Sequence, residues 1–250
     1  MSRETIGLRV YHVSRLADVF ARPVDVTTDD LIDWLGGHDW KPNTKRSYRA
    51  SWRAFWRWAV STGRLDHSPA ADLPAIRIPR AKPRPTPDEV FDFGLRVADA
   101  RAWRAIMLGG TCGLRRGEIA RSHTDWMERD LVGWSLRVIG KGGHERLVPL
   151  PADLAHHILR LPAGYLFPSP NGGHLTPAHL GRIVKRYLES HTTHTLRHRA
   201  GTKAYAVGKD IRAVQEFLGH AKPETTAIYT EVPASAIRAA MEGARPGTAA

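Results

Sequence analysis

A single cysteine, Cys112, stands in a chain of 250 residues, so no disulfide closes within it. Its apolar neighbours Ile106, Met107 and Leu108 mark it as a small buried hydrophobe. No apolar run reaches the roughly 18 residues of a spanning helix, and no signal-type hydrophobic segment opens the chain, so no membrane association and a cytoplasmic placement are expected. No internal repeat is found. Acidic residues are the scarce charge: 25 Asp and Glu face 37 Lys and Arg, a formal net charge of +12. Such an excess favours a polyanionic partner, because cations that neutralise phosphates release condensed counterions. The length and a hydrophobic content of 42% provide for two modest domains.

Proline marks the division. From Leu73 to Pro87, Pro74, Pro79, Pro83, Pro85 and Pro87 alternate with Arg77, Arg80, Lys82 and Arg84, a composition that excludes helix and favours extended chain. The expected organisation is a helical domain over 1–72, a basic linker over 73–86, and a second domain over 87–250. The first domain reads as three helices: 3–20, 28–35 from a cap at Thr28, and one from a cap at Asn43 or Thr44 to Val60. In the last of these Tyr48, Trp52, Phe55 and Ala59 share a core-facing stripe. Arg46, Arg49, Arg53 and Arg57 share another face with no interleaved acid, which favours a DNA-facing surface, with the linker cations following the backbone.

Beyond the linker the pattern predicts a helix from Thr86 to about Ala98, a buried helix through Met107, a turn at Gly113, and a hairpin. In the hairpin Trp134, Leu136 and Val138 alternate with Ser135 and Arg137 before Gly140-Lys141-Gly142-Gly143 and Arg146-Leu147-Val148. Further helices open at Leu175-Thr176-Pro177, running to about Leu188, at a Thr193 cap, and at Lys209-Asp210, the last ending near Gly219. The fold class is therefore mainly α with a small antiparallel β-sheet (α+β). A tail helix over about 233–243 carries Ala236, Ile237, Ala240 and Met241, an apolar patch expected to find little cover in its own domain.

The chemistry-bearing residues are concentrated late in the chain. His194-Thr195-Leu196-Arg197-His198 is followed by Leu218-Gly219-His220 and by Tyr229, nine positions beyond His220 (229 − 220). His194 and Arg197, three apart on a helix, project on one side and can serve one phosphate. Upstream, Gly113-Leu114-Arg115-Arg116-Gly117-Glu118 puts arginines after a glycine turn, with Glu118 placed to brace the next helix. Phosphodiester transfer needs a nucleophile, cations around the phosphate and a donor for the leaving oxygen, all available from Tyr, Arg, His and Lys without metal. A zinc site at His194 and His198 is disfavoured, because Arg197 stands where a metalloprotease carries Glu.

Taken together, Gly113-Leu114-Arg115 with Glu118, the Gly140-Lys141-Gly142 turn, HxxR at 194–197, Leu-Gly-His at 218–220 and Tyr229 resemble the tyrosine recombinase family, which includes phage integrases and Xer-like recombinases. The resemblance covers about 86–235 strongly and the N-terminal part in outline. It implies a core-type DNA-binding domain and a catalytic domain forming a clamp on DNA. It assigns Tyr229 as the nucleophile of a 3′-phosphotyrosyl bond, Arg115 and Arg197 as the phosphate clamp, and His220 as a donor to the same phosphate. Lys141 would protonate the leaving 5′ oxygen, His194 would assist at the tyrosine, and Glu118 would position Arg115. The implied function is site-specific recombination of integrase type through a Holliday junction, without cofactor, metal or arm-binding domain. The implied partners are double-stranded DNA with specific core sites and three further copies of the chain, a homo-tetramer exchanging C-terminal tails. The alternative reading is DNA relaxation of type IB topoisomerase kind.

Overall fold

The structure, a computed structural model, describes residues 3–78, 84–140, 143–208, 210–219 and 234–246. Two compact units, Met1–Ala81 and Lys82–Ala250, divide the chain.

In the first unit α1 (Arg3–Ala17), α2 (Thr28–Gly36) and α3 (Pro42–Ser61) enclose one core. The α2 start is fixed by Thr27, whose hydroxyl accepts from the Asp30 amide at 3.2 Å while the Asp30 carboxylate accepts from the Thr27 amide at 2.9 Å. Pro42 opens α3, where its missing N–H costs nothing. Tyr48, Trp52 and Ala59 are buried as their spacing predicts, but Trp56 and not Phe55 completes the stripe, at 1% exposure. The reason is periodicity: 48, 52 and 56 follow the i, i+4 row, from which Phe55 is displaced to the edge. Trp52 is wholly buried, and its indole N–H donates to the His12 carbonyl at 3.1 Å. Leu73 also lies in this core, so the first unit's packing extends past residue 72.

The second unit begins with α4 (Asp88–Val97) and α5 (Ala100–Gly110). Asp99 caps α5, accepting from the Ala102 amide at 2.8 Å. From Ala102 the α5 helix is buried almost throughout, and Gly109 lets it approach α9, since a Cβ there would meet Leu196 Cδ1 at 3.1 Å. Then come α6 (Arg116–Arg121), strands β1 (Met127–Arg129), β2 (Trp134–Ile139) and β3 (Glu145–Pro149), and α7 (Ala152–Leu159). The sheet is antiparallel in the order β1-β2-β3, with Leu136 opposite Met127 and Val148, and Val138 opposite Arg146. The short β1 and the α7 helix were not foreseen from sequence. The chain continues through α8 (Pro177–Tyr187), α9 (Thr193–Gly208), α10 (Ile211–Leu218) and α11 (Ala234–Glu242). Thr176 caps α8, and Asp210 caps α10 through the Arg212 and Ala213 amides. Thr193 is the first residue of α9 and not its cap; the Thr192 hydroxyl accepts from the Thr195 amide.

Met241 and Ala244 are fully buried in the second unit's core, Ile237 packs against it, and Gly243 sits so close to Val207 that a Cβ would meet it at 2.8 Å. Arg238 adds an ion pair to Asp130 at 3.0 Å. At Ile237 and Met241 the expectation of an uncovered apolar face is therefore corrected, with α9 and α10 packed against α11 in the same chain; the side chains of Ala236 and Ala240 lie outside the described residues. Cys112 is fully buried, and burial together with the Asp153 and Glu242 charges raises its thiol well above the ordinary range. Among the described residues no helix is long and apolar enough to cross a membrane.

Because Trp52 lies at the centre of the first core, Trp52→Ala should destabilise that unit by about 3–5 kcal/mol. Urea unfolding followed by circular dichroism should show one transition moved to lower denaturant and the other in place; unchanged unfolding would contradict the packing described.

Candidate active site

Three arginines and one glutamate from three segments converge in the second unit. Arg115 is the residue before α6, and Gly113 ahead of it takes a left-handed φ of +67°, where a Cβ would meet Leu218 Cδ2 at 2.6 Å. Glu118, with 2% of its side chain exposed, accepts from the Arg115 amide and from Arg115 Nη1, both at 2.8 Å. Arg146 on β3 donates to the same carboxylate through Nη1 at 3.2 Å and Nη2 at 2.9 Å. Arg197 on α9 is buried, with Nη1 on the Gly113 carbonyl and Nη2 on the Leu218 carbonyl at 2.7 Å. Arg115 Nη2 donates to the Gly219 carbonyl at 2.9 Å.

Each connection has a local cause. Gly219 ends α10 with φ +63°, the left-handed stop that glycine permits, and the exposed last carbonyls of that helix become acceptors for two guanidinium groups. The residue immediately before His220 is thereby tied to the arginine cluster. Three guanidinium groups and one carboxylate leave a charge of +2 (3 − 1). Burial raises the Glu118 carboxyl, but hydrogen bonds and charge from Arg146 and Arg115 more than reverse this and hold it below its ordinary value of 4.5. Burial, then the nearby Arg115 charge, lowers Arg197 to about 9, with Glu118 opposing and Arg146 adding to the fall. Arg197 is still cationic at neutral pH, and a cation pushed down in this way gains when an anion enters.

His194 is exposed and pairs with His198, Nε2 to Nε2, at 3.0 Å, while Arg197 between them turns inward. The two ends of HxxR thus differ in placement: the arginine is held on backbone carbonyls and the histidine is exposed. Burial, then His194 and Arg197, lower the His198 pKa below its ordinary 6.5, so this imidazole is neutral at pH 7. Arg199, two residues on, is structural: it stacks on Phe91 with 3.8 Å to the ring centroid and pairs with Asp88 at 2.8 Å. Among the described residues no three His, Cys, Asp or Glu side chains gather as metal ligands. Lys141, His220 and Tyr229 lie outside the described residues, as do Arg80 and Lys82 of the basic linker. The flanking strands β2 and β3 place the ends of the Lys141 turn next to the cluster, with Gly140 beside Glu118.

In the first unit Arg46 and Arg57 are exposed and Arg53 half-buried, whereas Arg49 turns aside to donate to the Leu73 carbonyl at 3.0 and 2.6 Å. Arg53 and Arg57 border a groove of about 300 Å³ with Val60, Ser61 and Ser68. Arg77 and Arg84 are exposed. Arg146 is the site residue that sequence reading missed, since it reads as an ordinary polar strand position. The available signal was its alternation with Val148, which puts both on the inward face.

Loss of the Glu118 charge should be read in stability. A depressed carboxyl contributes stability that is complete above its ordinary pKa and is lost as pH falls through the folded-state value. Glu118→Gln should therefore destabilise the second unit by about 3 kcal/mol at pH 7, with the deficit shrinking in acid below pH 4.5; a deficit that stays constant with pH would contradict the ion-pair assignment.

Residues 95–235 match the model of the phage integrase family. The chain is 35% identical over 223 residues to the tyrosine recombinase XerC of Rhodospirillum centenum, covering 78% of this chain and 63% of that relative, so it spans less than two thirds of the relative's length. It resembles the integrase from mycobacterium phage Brujita at TM-score 0.59 and 27% identity, over 99% of this chain and 88% of that one. It shares the fold of a lambda integrase dimer bound to a COC′ core site at TM-score 0.72 and 17% identity, over 93% of each chain. With its arginine cluster, HxxR helix and helical scaffold in place, the chain belongs to the phage integrase family of tyrosine recombinases.

Proposed function

We propose that this chain is a site-specific recombinase that cleaves and rejoins DNA through a 3′-phosphotyrosyl intermediate and a Holliday junction. The observation that carries the reading is the net positive cluster in which buried Arg197 and partly exposed Arg115 are each oriented by groups that hold the guanidinium in one pose. A pentavalent phosphorane spreads charge over its equatorial oxygens, and preorganised guanidinium forks answer that charge without reorganisation during the reaction. Tyr229 attacks the phosphorus and expels the 5′ oxygen. Its proton passes to His194, the exposed imidazole at the edge of the cluster. Lys141 gives a proton to the departing oxygen, and His220, which follows the Gly219 carbonyl held by Arg115, donates to a non-bridging oxygen. No cofactor enters, because the phosphotyrosyl bond conserves the cleaved linkage for rejoining.

The first unit serves as the core-type DNA-binding domain, 1–72, with Arg46, Arg53 and Arg57 set on phosphates. Arg49 acts at one remove, by pinning the chain at Leu73. The basic stretch 73–86, with Arg77, Arg80, Lys82 and Arg84, follows the DNA to the catalytic domain, 87–250. Four copies assemble on paired core sites in the cytoplasm. The buried seat of Met241 means that an exchange of tails between copies requires α11 to leave its own α9 and α10 first. The names of the relatives speak for recombination over relaxation of type IB topoisomerase kind.

A duplex nicked close to the scissile phosphate, which loses its leaving fragment after cleavage, tests the reading. The wild-type chain should accumulate a covalent DNA adduct and exchange strands between two sites, and Tyr229→Phe should yield none. Relaxation of supercoils with no exchange would instead select the topoisomerase reading, and an adduct that persists in Tyr229→Phe would remove the assigned nucleophile.

A further inference from the structure

We infer that Arg146 is a positioning residue of the active site, acting on Arg115 from two sides at once. The inference rests on the reading of Arg115 as a phosphate clamp. Arg115 is held at two points, the Glu118 carboxylate through Nη1 and the Gly219 carbonyl through Nη2. Both points rest on Arg146. On one side the Arg146 fork fills both Glu118 oxygens at 3.2 and 2.9 Å, while Oε1 also takes Arg115 Nη1 and Oε2 the Arg115 amide. Four donors saturate the carboxylate's lone pairs, so it cannot rotate without breaking bonds. On the other side the Arg146 stem and guanidinium lie against Gly219, where a Cβ would sit 2.7 Å from Cδ and Nε and 2.8 Å from Cζ.

The sheet explains how the side chain gets there. Arg146 alternates with buried Val148 on β3 and lies opposite Val138 on β2, so it points inward at the end of the sheet nearest Gly140. With 9% of its side chain exposed, it is an interior cation whose charge is met by Glu118. Lysine could bring the charge but not the fork, because an ammonium cannot span both carboxylate oxygens in one plane.

The test is Arg146→Lys in the full chain, with two readouts. On the nicked duplex the cleavage rate should fall about 10²-fold, as displacement of a clamp by an ångström does, while the DNA concentration giving half-maximal cleavage stays within about twofold. Combined with Glu118→Gln, the double variant should be no slower than the slower single variant, since both break one connection. Independently of activity, hydrogen exchange of the Arg115 and Gly219 amides should quicken in Arg146→Lys, with amides in the α5 core unchanged. Exchange that stays at the wild-type rate at both amides overturns the inference, as does cleavage at the wild-type rate, or a double variant whose losses multiply. Should the wild-type chain form no adduct, the recombinase reading fails, while the exchange rates still decide the role of Arg146.

Discussion

The second unit is organised around one buried carboxylate. Glu118 cannot be charged at 2% exposure without compensation, and the compensation comes from Arg115 and Arg146, which reach it from the helix start and from β3. This requirement fixes the relative positions of α6, the sheet and the end of α10. The cluster is not neutral, since Arg197 adds a third guanidinium whose partners are carbonyl oxygens and not acids. A site built with surplus positive charge is strained until an anion arrives, and that imbalance is the physical basis for reading it as a phosphate receptor.

The same helix shows how context separates chemistry from scaffolding. Arg197 and Arg199 are both buried on α9, yet Arg199 is matched by Asp88 and covered by Phe91, whereas Arg197 feels the charges of Arg115 and Arg146 with Glu118 opposing them. Paired charge and aromatic contact make Arg199 a structural tie between α4, α5 and the tail through the Gly110 and Ala244 carbonyls. Arg197 has no acid of its own: it donates from both terminal nitrogens to the Gly113 and Leu218 carbonyls, beside two left-handed glycine turns. The small residues of the unit have corresponding tasks: Gly113 and Gly219 take left-handed turns that aim carbonyls at the two arginines, a conformation that side-chain-bearing residues adopt at a cost.

Much of this was legible in the sequence because the relevant signals are local. The Asp210 cap, the 3.6-residue stripe on α3, the glycine turn before Arg115 and the alternating strands around the Lys141 turn each sit within one element. What escaped depends on partners distant in the chain. Arg49 belongs by spacing to the arginine face, but its acceptor is the carbonyl of Leu73, and no periodicity announces that. Arg146 looks like any solvated strand cation until Glu118 is brought against it. The tail patch looked uncovered because the surfaces that bury Met241 belong to α9 and α10, whose packing follows from tertiary structure alone. Helix starts moved by one to three residues: Thr27 and Thr192 cap where Thr28 and Thr193 were expected, because adjacent threonines compete for the same position, and α3 opens at Pro42 after Lys41 and not from a cap at Asn43 or Thr44.

The central claim is that Arg115 and Arg197 serve the negative charge of the scissile phosphate, and neutralising that charge tests it most directly. Cleavage should be compared on a duplex whose scissile phosphate is replaced by an uncharged methylphosphonate, using wild type, Arg115→Ala and Arg197→Ala. The account predicts that each substitution slows cleavage of the charged phosphate by roughly 10²-fold or more and has a far smaller effect on the neutral one. An equal penalty on both substrates would contradict it, because the arginines would then be supporting the fold and not the charge of the reacting group.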